Sequence, residues 1–159
     1  MEYTAGCTEA AEEMRAAVPA ACPREGAAGN KKVLIAEDYK MLQLLYSEEL
    51  AEEGYDVAVC GDCATLLKMI EMHRPDIILL DIMLGGHNAL DMLQDIYARS
   101  RGALVLLNSA YSPAYSRSAF GVAGADYLVK SADIQPMKDK IRSLCAQQAG
   151  RLRVKSLPV

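Results

Sequence analysis

The most informative segment of this chain is PDIILLDIML, residues 75–84. Residues 77–80 are apolar at every position rather than at alternate ones, which predicts a strand buried on both faces. Such strands are typical of parallel sheets that are covered by helices on both sides. Asp81 follows directly, so we expect it at the carboxyl end of this strand.

The same pattern repeats on either side of this segment. Short runs rich in valine, isoleucine and leucine predict strands at residues 33–36, 56–60, 77–80, 103–107 and 126–129. Segments of helical periodicity predict helices at residues 41–52, 64–72, 88–98, 113–122 and 134–146. Strands alternating with helices in this way predict an α/β domain with a doubly wound (βα)5 fold. The first predicted helix carries two adjoining apolar stripes, Met41/Leu44/Leu45 and Leu42/Tyr46/Leu50.

The chain is long enough for one well-buried domain, with 159 residues of which 52% are hydrophobic. We assign residues 31–148 to this domain. Residues 1–30 contain nine alanines, and we expect them to form a mobile extension. Residues 149–159 carry Arg151, Arg153 and Lys155 without an acidic residue, and we expect a short basic tail there.

Charge and hydropathy exclude several classes of partner. Residues 31–148 hold 16 acidic and 12 basic residues, so direct DNA binding by this domain is not expected. No apolar stretch approaches the ~20 residues of a membrane span, and the first residues lack the apolar region of a secretory signal. Five cysteines, an odd number, argue against a disulfide framework. We therefore predict a cytoplasmic protein with reduced thiols and no membrane partner.

Polar residues follow the predicted strands where a parallel sheet binds its ligands, at the carboxyl ends. These residues are Glu37, Asp38, Asp81, Ser109 and Lys130. Carboxylates that lie close together resist ionising unless a cation or a proton neutralises them. Because the acidic ligands are oxygens only, the sequence predicts a Mg²⁺ site at this edge of the sheet.

Four motifs resemble the response-regulator receiver domain of bacterial two-component signalling. They are VLIAED (residues 33–38), PDIILLDIML (75–84), SA (109–110) and GADYLVK (124–130). Each motif alone is a weak signal, but all four occur in order at the ends of the predicted strands. The resemblance covers residues 31–148 and implies a flavodoxin-like fold with a five-stranded parallel sheet of order 2-1-3-4-5.

The resemblance implies that Asp81 is the phosphoacceptor, which receives a phosphoryl group from a histidine kinase or a phosphotransfer protein. Asp38 and Asp81 would bind Mg²⁺ with the backbone carbonyl of Met83, and Glu37 would act through water. Such a protein promotes its own phosphorylation and dephosphorylation and is not a conventional enzyme. Since little chain follows the last predicted helix, we expect it to act as a stand-alone receiver.

The resemblance also implies how phosphorylation is read out. Lys130 and Ser109 would each hold an oxygen of the phosphoryl group. Movement of Ser109 toward that group would make room for Tyr127 to rotate inward. An output protein, unknown from the sequence, would then bind with altered affinity to the face formed by the fourth predicted helix, the fifth strand and the fifth helix.

Three details of the sequence lead to separate expectations. Ser131 stands where the family has proline, and we expect a trans Lys130–Ser131 bond with Lys130 still reaching Asp81. Gly85-Gly86-His87-Asn88 replaces the usual Pro-Gly after the acceptor loop without removing a ligand. The CxxC pair Cys60/Cys63 lacks the partner ligands of a zinc site, so we interpret it as two buried or half-buried thiols.

Two other classes of function are considered. A pseudo-receiver would bind partners without phosphorylation, but all five acidic, hydroxyl and ammonium positions are present. An FMN protein of flavodoxin type or an aspartyl phosphatase would share the fold. However, no phosphate loop rich in glycine, serine and threonine follows the first strand, and Met83 stands where a phosphatase of this type carries a second aspartate.

Overall fold

The computed structural model describes residues 30–110 and 125–155 of the chain. The strands are β1 (Lys32–Ala36), β2 (Asp56–Cys60), β3 (Ile77–Asp81), β4 (Met83–Leu84), β5 (His87–Asn88), β6 (Leu104–Ser109) and β7 (Ala125–Val129). The α-helices are α1 (Lys40–Glu52), α2 (Cys63–His73), α3 (Leu93–Ser100) and α4 (Gln135–Lys155), and a 3₁₀ helix spans Ala89–Met92.

The five longer strands form one parallel sheet in the order β2-β1-β3-β6-β7. Strands β4 and β5 pair antiparallel in a separate short hairpin directly after β3. Apart from this hairpin, the order is the predicted 2-1-3-4-5. The doubly wound fold expected from the alternating pattern and the flavodoxin-like sheet implied by the resemblance are therefore confirmed.

Helices cover both faces of this sheet. Successive strand residues point to opposite sides, so the strands contribute side chains to two separate core clusters. One core cluster contains Leu34 and Ile78 from the strands together with Leu66, Ile70 and Ile96 from α2 and α3. The other contains Ile35, Leu79 and Leu106 from the strands together with Tyr46, Leu50 and Ile141 from α1 and α4. All five residues of β3 are buried, as the unbroken apolar run predicts. Each fully buried aliphatic side chain contributes about 1.5–3 kcal/mol to folding.

Helix α1 buries only one of its two predicted apolar stripes. Tyr46 and Leu50 are buried, whereas the side chains of Met41, Leu44 and Leu45 are exposed. The stripe that contains Tyr46 and Leu50 is therefore the one that packs on the sheet. The helix ends before Gly54, whose φ of +91° is typical of a residue that follows a helix.

Three predicted segments differ from the structure or lie outside the described residues. The third predicted helix begins later than residue 88, because Asn88 belongs to β5 and accepts a hydrogen bond from the Leu90 N–H at the start of the 3₁₀ helix. The last helix continues to Lys155, beyond the predicted end at residue 146 and into the expected basic tail. Its added residues include good helix formers such as alanine and glutamine. The fourth predicted helix, residues 113–122, and residues 1–29 of the expected extension are outside the described part of the chain.

Two further observations concern the membrane and the thiols. Among the helices of the described residues, none combines the length and the apolar character that a bilayer crossing requires. Cys60 and Cys63 are buried free thiols, in agreement with the interpretation of the CxxC pair. Burial raises the pKa of the Cys60 thiol to about 12, so it stays protonated at neutral pH.

Candidate functional site

The five polar residues predicted to meet at the carboxyl edge of the sheet do so. Glu37 and Asp38 directly follow β1, Asp81 ends β3, and Ser109 ends β6. Lys130 follows β7, and its backbone N–H donates to the Ser109 carbonyl at 2.7 Å. Because the strands are parallel and in register, residues far apart in sequence face one another here.

Three carboxylates form the centre of the site. Oxygen atoms of Glu37, Asp38 and Asp81 lie within 4.8 Å of one another. Glu37 and Asp81 are buried, with 2% and 8% of their surface exposed, whereas Asp38 is open to solvent. Three negative groups at this separation need a cation or a proton to neutralise part of their charge, and oxygen ligands with one solvent-facing side are a set that Mg²⁺ accepts.

The ammonium of Lys130 supplies one positive charge to this cluster. Its Nζ atom donates to Asp81 Oδ2 at 2.7 Å and to Glu37 Oε2 at 2.6 Å. Burial disfavours the charged amine, but the two hydrogen bonds outweigh it, so the pKa of Lys130 is raised. Burial also raises the pKa of Glu37, and the hydrogen bond from Lys130 opposes that shift.

The bond between Lys130 and Ser131 is trans, since the described residues contain no cis peptide. Lys130 nevertheless reaches Asp81, as its flexible stem permits. Both parts of the expectation for this loop are confirmed. Ser131 also shapes the path into α4, because its hydroxyl accepts a hydrogen bond from the Asp133 N–H at 3.1 Å.

The hairpin after β3 holds two of the carboxylates through backbone donors. The Met83 N–H donates to Asp81 Oδ1 at 3.1 Å, and the Gly85 N–H donates to Asp38 Oδ2 at 3.2 Å. Gly85 has a φ of +58°, a left-handed conformation that glycine adopts without steric cost. The Gly85-Gly86 sequence that departs from the usual pattern thus places an N–H against an acidic residue of the site.

Ser109 and Tyr127 lie on the two neighbouring strands at the same end of the sheet. Ser109 is buried with 2% of its surface exposed. Tyr127 is half-buried, pairs in register with Leu107 and packs against the core cluster that contains it. The two predicted switch residues are therefore on adjacent strands, two residues apart along the ladder.

Helix α1 contributes two buried polar side chains near this edge, Gln43, which was not predicted from the sequence, and Tyr46, which was predicted only as part of an apolar stripe. Gln43 donates from Nε2 to the backbone carbonyl of Glu37 and, at 3.5 Å, to that of Cys60. Tyr46 accepts at its hydroxyl a hydrogen bond from the Asn108 side chain at 3.4 Å. The burial of Gln43 could have been predicted from helical spacing, because Gln43 precedes the buried Tyr46 and Leu50 by three and seven residues and so shares their face of the helix.

The matching family is described as the response regulator receiver domain, and its model matches residues 33–142. The chain belongs to this family. Receiver domains are the phosphoacceptors of two-component signalling.

Several known proteins are similar to this receiver. The probable transcriptional regulatory protein TcrX of Mycobacterium tuberculosis is 31% identical over 113 residues, which is 70% of this chain and 48% of TcrX. The response regulator TrrA of Thermotoga maritima, solved in complex with Mg²⁺-BeF, is 30% identical with a TM-score of 0.64 and covers 72% of this chain and 98% of its own.

A third comparison shows the fold alone. The receiver domain of a LuxO repressor protein from Vibrio parahaemolyticus has a TM-score of 0.71 at 21% identity, over 80% of this chain and 99% of its own. The curated relatives are longer proteins, and this chain spans about half the length of those it matches.

Proposed function

We propose that this receiver accepts a phosphoryl group on Asp81 from a histidine kinase or a phosphotransfer protein and thereby changes its affinity for an output partner. The observation that carries the proposal is the position of the Asp81 carboxylate between the Lys130 ammonium and two other carboxylates. In the described residues, Asp81 is the aspartate that faces both groups.

The donor set fits the cation that the family uses. We assign direct Mg²⁺ binding to Asp38 and Asp81 with the Met83 backbone carbonyl, and binding through water to Glu37, because the three carboxylates converge and supply oxygen atoms alone. When bound, Mg²⁺ neutralises charge on the acceptor and on the phosphoryl oxygens. The Mg²⁺-BeF complex of TrrA supports this assignment.

The transfer itself places few demands on the protein beyond position and charge. A carboxylate oxygen of Asp81 forms a bond to phosphorus while the bond from phosphorus to the donor nitrogen breaks, and the histidine leaves with the electron pair of that bond. Lys130 donates to one phosphoryl oxygen, and the hydroxyl of Ser109 donates to another. The Met83 N–H keeps the acceptor carboxylate oriented through Oδ1.

The readout is proposed to pass from Ser109 to Tyr127. Ser109 and Tyr127 lie two ladder positions apart on adjacent strands, so their side chains share one face of the sheet, where Tyr127 packs against the core. We expect a shift of Ser109 to change the space open to Tyr127. The output is then a population shift between two conformations of the surface around β7. We place the output partner on the predicted face of fourth helix, fifth strand and fifth helix. The fifth strand of this prediction is β7 and its fifth helix is α4, whereas its fourth helix lies outside the described residues.

DNA contact is not assigned to the receiver itself. Some relatives are named DNA-binding response regulators, such as MtrA of Mycobacterium leprae at 31% identity. The acidic excess of residues 31–148 nevertheless opposes binding to phosphates. The pseudo-receiver alternative is disfavoured, because the structure brings together the acidic residues and the lysine that phosphorylation needs.

The test is incubation of the chain with acetyl phosphate, with and without Mg²⁺, followed by intact mass measurement. We expect one added phosphoryl group in the presence of Mg²⁺ and none in Asp81→Asn. Asp91→Asn is the matched control, because Asp91 lies on the exposed 3₁₀ helix away from the acidic cluster. A wild-type chain that takes up no phosphoryl group supports the pseudo-receiver instead.

A further inference from the structure

We propose that Gln43 is a positioning residue for the acceptor site, acting through the peptide group that joins Glu37 to Asp38. This inference rests on the proposed function, because it assigns a role in Mg²⁺ binding to a side chain that touches neither the metal nor the phosphoryl group. Gln43 lies on α1 and has 6% of its surface exposed.

The amide of Gln43 is oriented by contacts at both of its ends. Its Nε2 donates to the Glu37 carbonyl and, more weakly at 3.5 Å, to the Cys60 carbonyl. Its Oε1 accepts a hydrogen bond from the Lys40 ammonium at 3.2 Å. Because an ammonium only donates and a carbonyl only accepts, these partners determine which end of the amide faces the strands.

The Gln43 amide affects the orientation of both acidic residues because the peptide group that joins Glu37 to Asp38 is planar. The Glu37 carbonyl, the Asp38 N–H and the Cα atoms of both residues lie in one plane. A donor that fixes the carbonyl direction therefore fixes the plane from which both acidic side chains leave the backbone. The Glu37 N–H is held from the other side by the Cys60 carbonyl at 3.0 Å, so Gln43 completes the attachment of this segment.

Electrostatic repulsion makes such an attachment necessary. Glu37, Asp38 and Asp81 place carboxylate oxygens within 4.8 Å of one another, and Lys130 pairs with Glu37 and Asp81 but not with Asp38. The Asp38 carboxylate accepts a hydrogen bond from the Gly85 N–H. The Tyr39 N–H donates to Glu37 Oε1, but that contact leaves the Glu37 carbonyl without a donor. Loss of the Gln43 amide therefore removes the contact that opposes rotation of this peptide plane and separation of the carboxylates.

Gly61 provides an independent observation on the same contact. A Cβ atom at this position would lie 3.2 Å from Gln43 Nε2, closer than ordinary contacts. The φ angle of Gly61 is outside the left-handed region, so the backbone at this position accepts alanine without strain. The absence of a side chain at residue 61 thus leaves space for the amide between α1 and the end of β2.

The experiment measures Mg²⁺ binding by titration calorimetry on the full chain, and the Mg²⁺ dependence of phosphorylation by acetyl phosphate. Gln43→Met keeps the size of the side chain and removes both donors. Second-layer partners of metal ligands typically contribute 10- to 100-fold in affinity, and we expect an increase of about tenfold in the Mg²⁺ dissociation constant. The rate at saturating Mg²⁺ should stay close to that of wild type.

Two controls separate positioning from general stability. Gln94→Met makes the same change on the exposed side of α3, and Leu50→Val weakens the core contact of α1 far from the acidic segment. Both should bind Mg²⁺ like wild type at temperatures where they are folded. A Leu50→Val variant that loses as much Mg²⁺ affinity as Gln43→Met would overturn the proposal.

Gly61→Ala serves as the second variant, because it displaces the amide without deleting it. We expect Gly61→Ala to increase the Mg²⁺ dissociation constant by less than Gln43→Met does. If Gln43→Met does not fold, Gly61→Ala tests the positioning role of Gln43 in its place. Wild-type Mg²⁺ affinity in a folded Gln43→Met, or in Gly61→Ala when it alone folds, overturns the inference. Failure of the proposed function is distinct, because wild type itself would then bind no Mg²⁺ and take up no phosphoryl group.

Discussion

The ammonium of Lys130 lies 2.7 Å from Asp81 Oδ2, although 49 residues separate the two in sequence. The same ammonium contacts the buried Glu37. Removal of Lys130 therefore leaves two carboxylates facing each other in a partly buried place. We expect Lys130→Met to lower the free energy of unfolding by about 1–3 kcal/mol in urea titrations at pH 7.

The same substitution should almost abolish phosphorylation by acetyl phosphate, because no other ammonium is placed at the described acceptor site. Lys140→Met is the control, since Lys140 pairs with Asp126 away from the acidic cluster. A Lys130→Met variant that is phosphorylated at the wild-type rate would contradict the role of this lysine.

Gly85 and Gly86 in the hairpin after β3 allow two matched alanine substitutions to be compared. Both have positive φ, +58° and +79°, so alanine at either position costs about 1 kcal/mol in backbone strain. Only the Gly85 N–H holds Asp38. We expect both alanine variants to lose similar stability, but only Gly85→Ala to bind Mg²⁺ more weakly by calorimetry. Equal Mg²⁺ affinity in the two variants would show that the contact to Asp38 is dispensable.

Tyr46 and Asn108 form a polar pair in the core below the site. The Asn108 amide donates to the Tyr46 hydroxyl, and its Oδ1 is buried without a hydrogen-bond partner among the residues that the structure describes. Tyr46→Phe should cost about 1–3 kcal/mol of unfolding free energy, because it leaves the amide without its acceptor. Adding Asn108→Leu should recover part of the loss in a double-mutant cycle. Strict additivity of the two changes would rule out the coupling.

The strands and the acceptor site could largely be predicted from the sequence, for a definite physical reason. An unbroken apolar run marks the buried β3, whose bounds were predicted to within one residue, and alternating valines mark β2, whose bounds were predicted in full. The parallel arrangement then brings the carboxyl ends of the strands to one edge. That is why Asp38, Asp81 and Lys130 could be placed together without coordinates.

The surfaces of the helices could not be predicted in the same way. Periodicity identified two apolar stripes on α1, but it does not say which stripe packs on the sheet, and Met41 and Leu44 are exposed. Gln43 was missed because a glutamine in a helix usually faces solvent, and only the carbonyls of Glu37 and Cys60 make its burial favourable.

An ion-pair cluster joins α1 to α4 and leads to a prediction about pH. Hydrogen bonding from Arg142 lowers the pKa of Glu53, with a further contribution from Lys138, while burial opposes it. A carboxyl group whose pKa is lowered on folding stabilises the protein above its unfolded pKa of 4.5, and this contribution is lost as the pH falls through the lower folded value.

Glu53→Gln should therefore unfold at lower urea concentration than wild type at pH 7, and the difference should shrink as the pH falls below 4.5 toward the lower folded pKa. Glu52→Gln is the control, because Glu52 is the exposed preceding residue, the last of α1, and the structure shows no ion pair for it among the described residues. A Glu53→Gln difference that persists unchanged at the lower pH would show that its origin is not the ionised carboxylate.

Met83 lies two residues beyond Asp81, with 46% of its surface exposed and its side chain unable to orient an attacking water. We expect Met83→Asn to shorten the lifetime of the phosphorylated state, because an amide beside the acceptor can hold a water molecule by hydrogen bonds. Decay is followed by intact mass after the phosphoryl donor is removed. Met72→Asn, a more exposed methionine on α2, should leave the decay rate unchanged.

The most direct test of the account is to locate the phosphoryl group within the chain. After incubation with Mg²⁺ and acetyl phosphate, borohydride reduces an aspartyl phosphate to homoserine, releasing phosphate, and peptide sequencing by mass spectrometry identifies the modified position. The account predicts homoserine at residue 81 and at no other aspartate. Modification at another aspartate with residue 81 unchanged would contradict it.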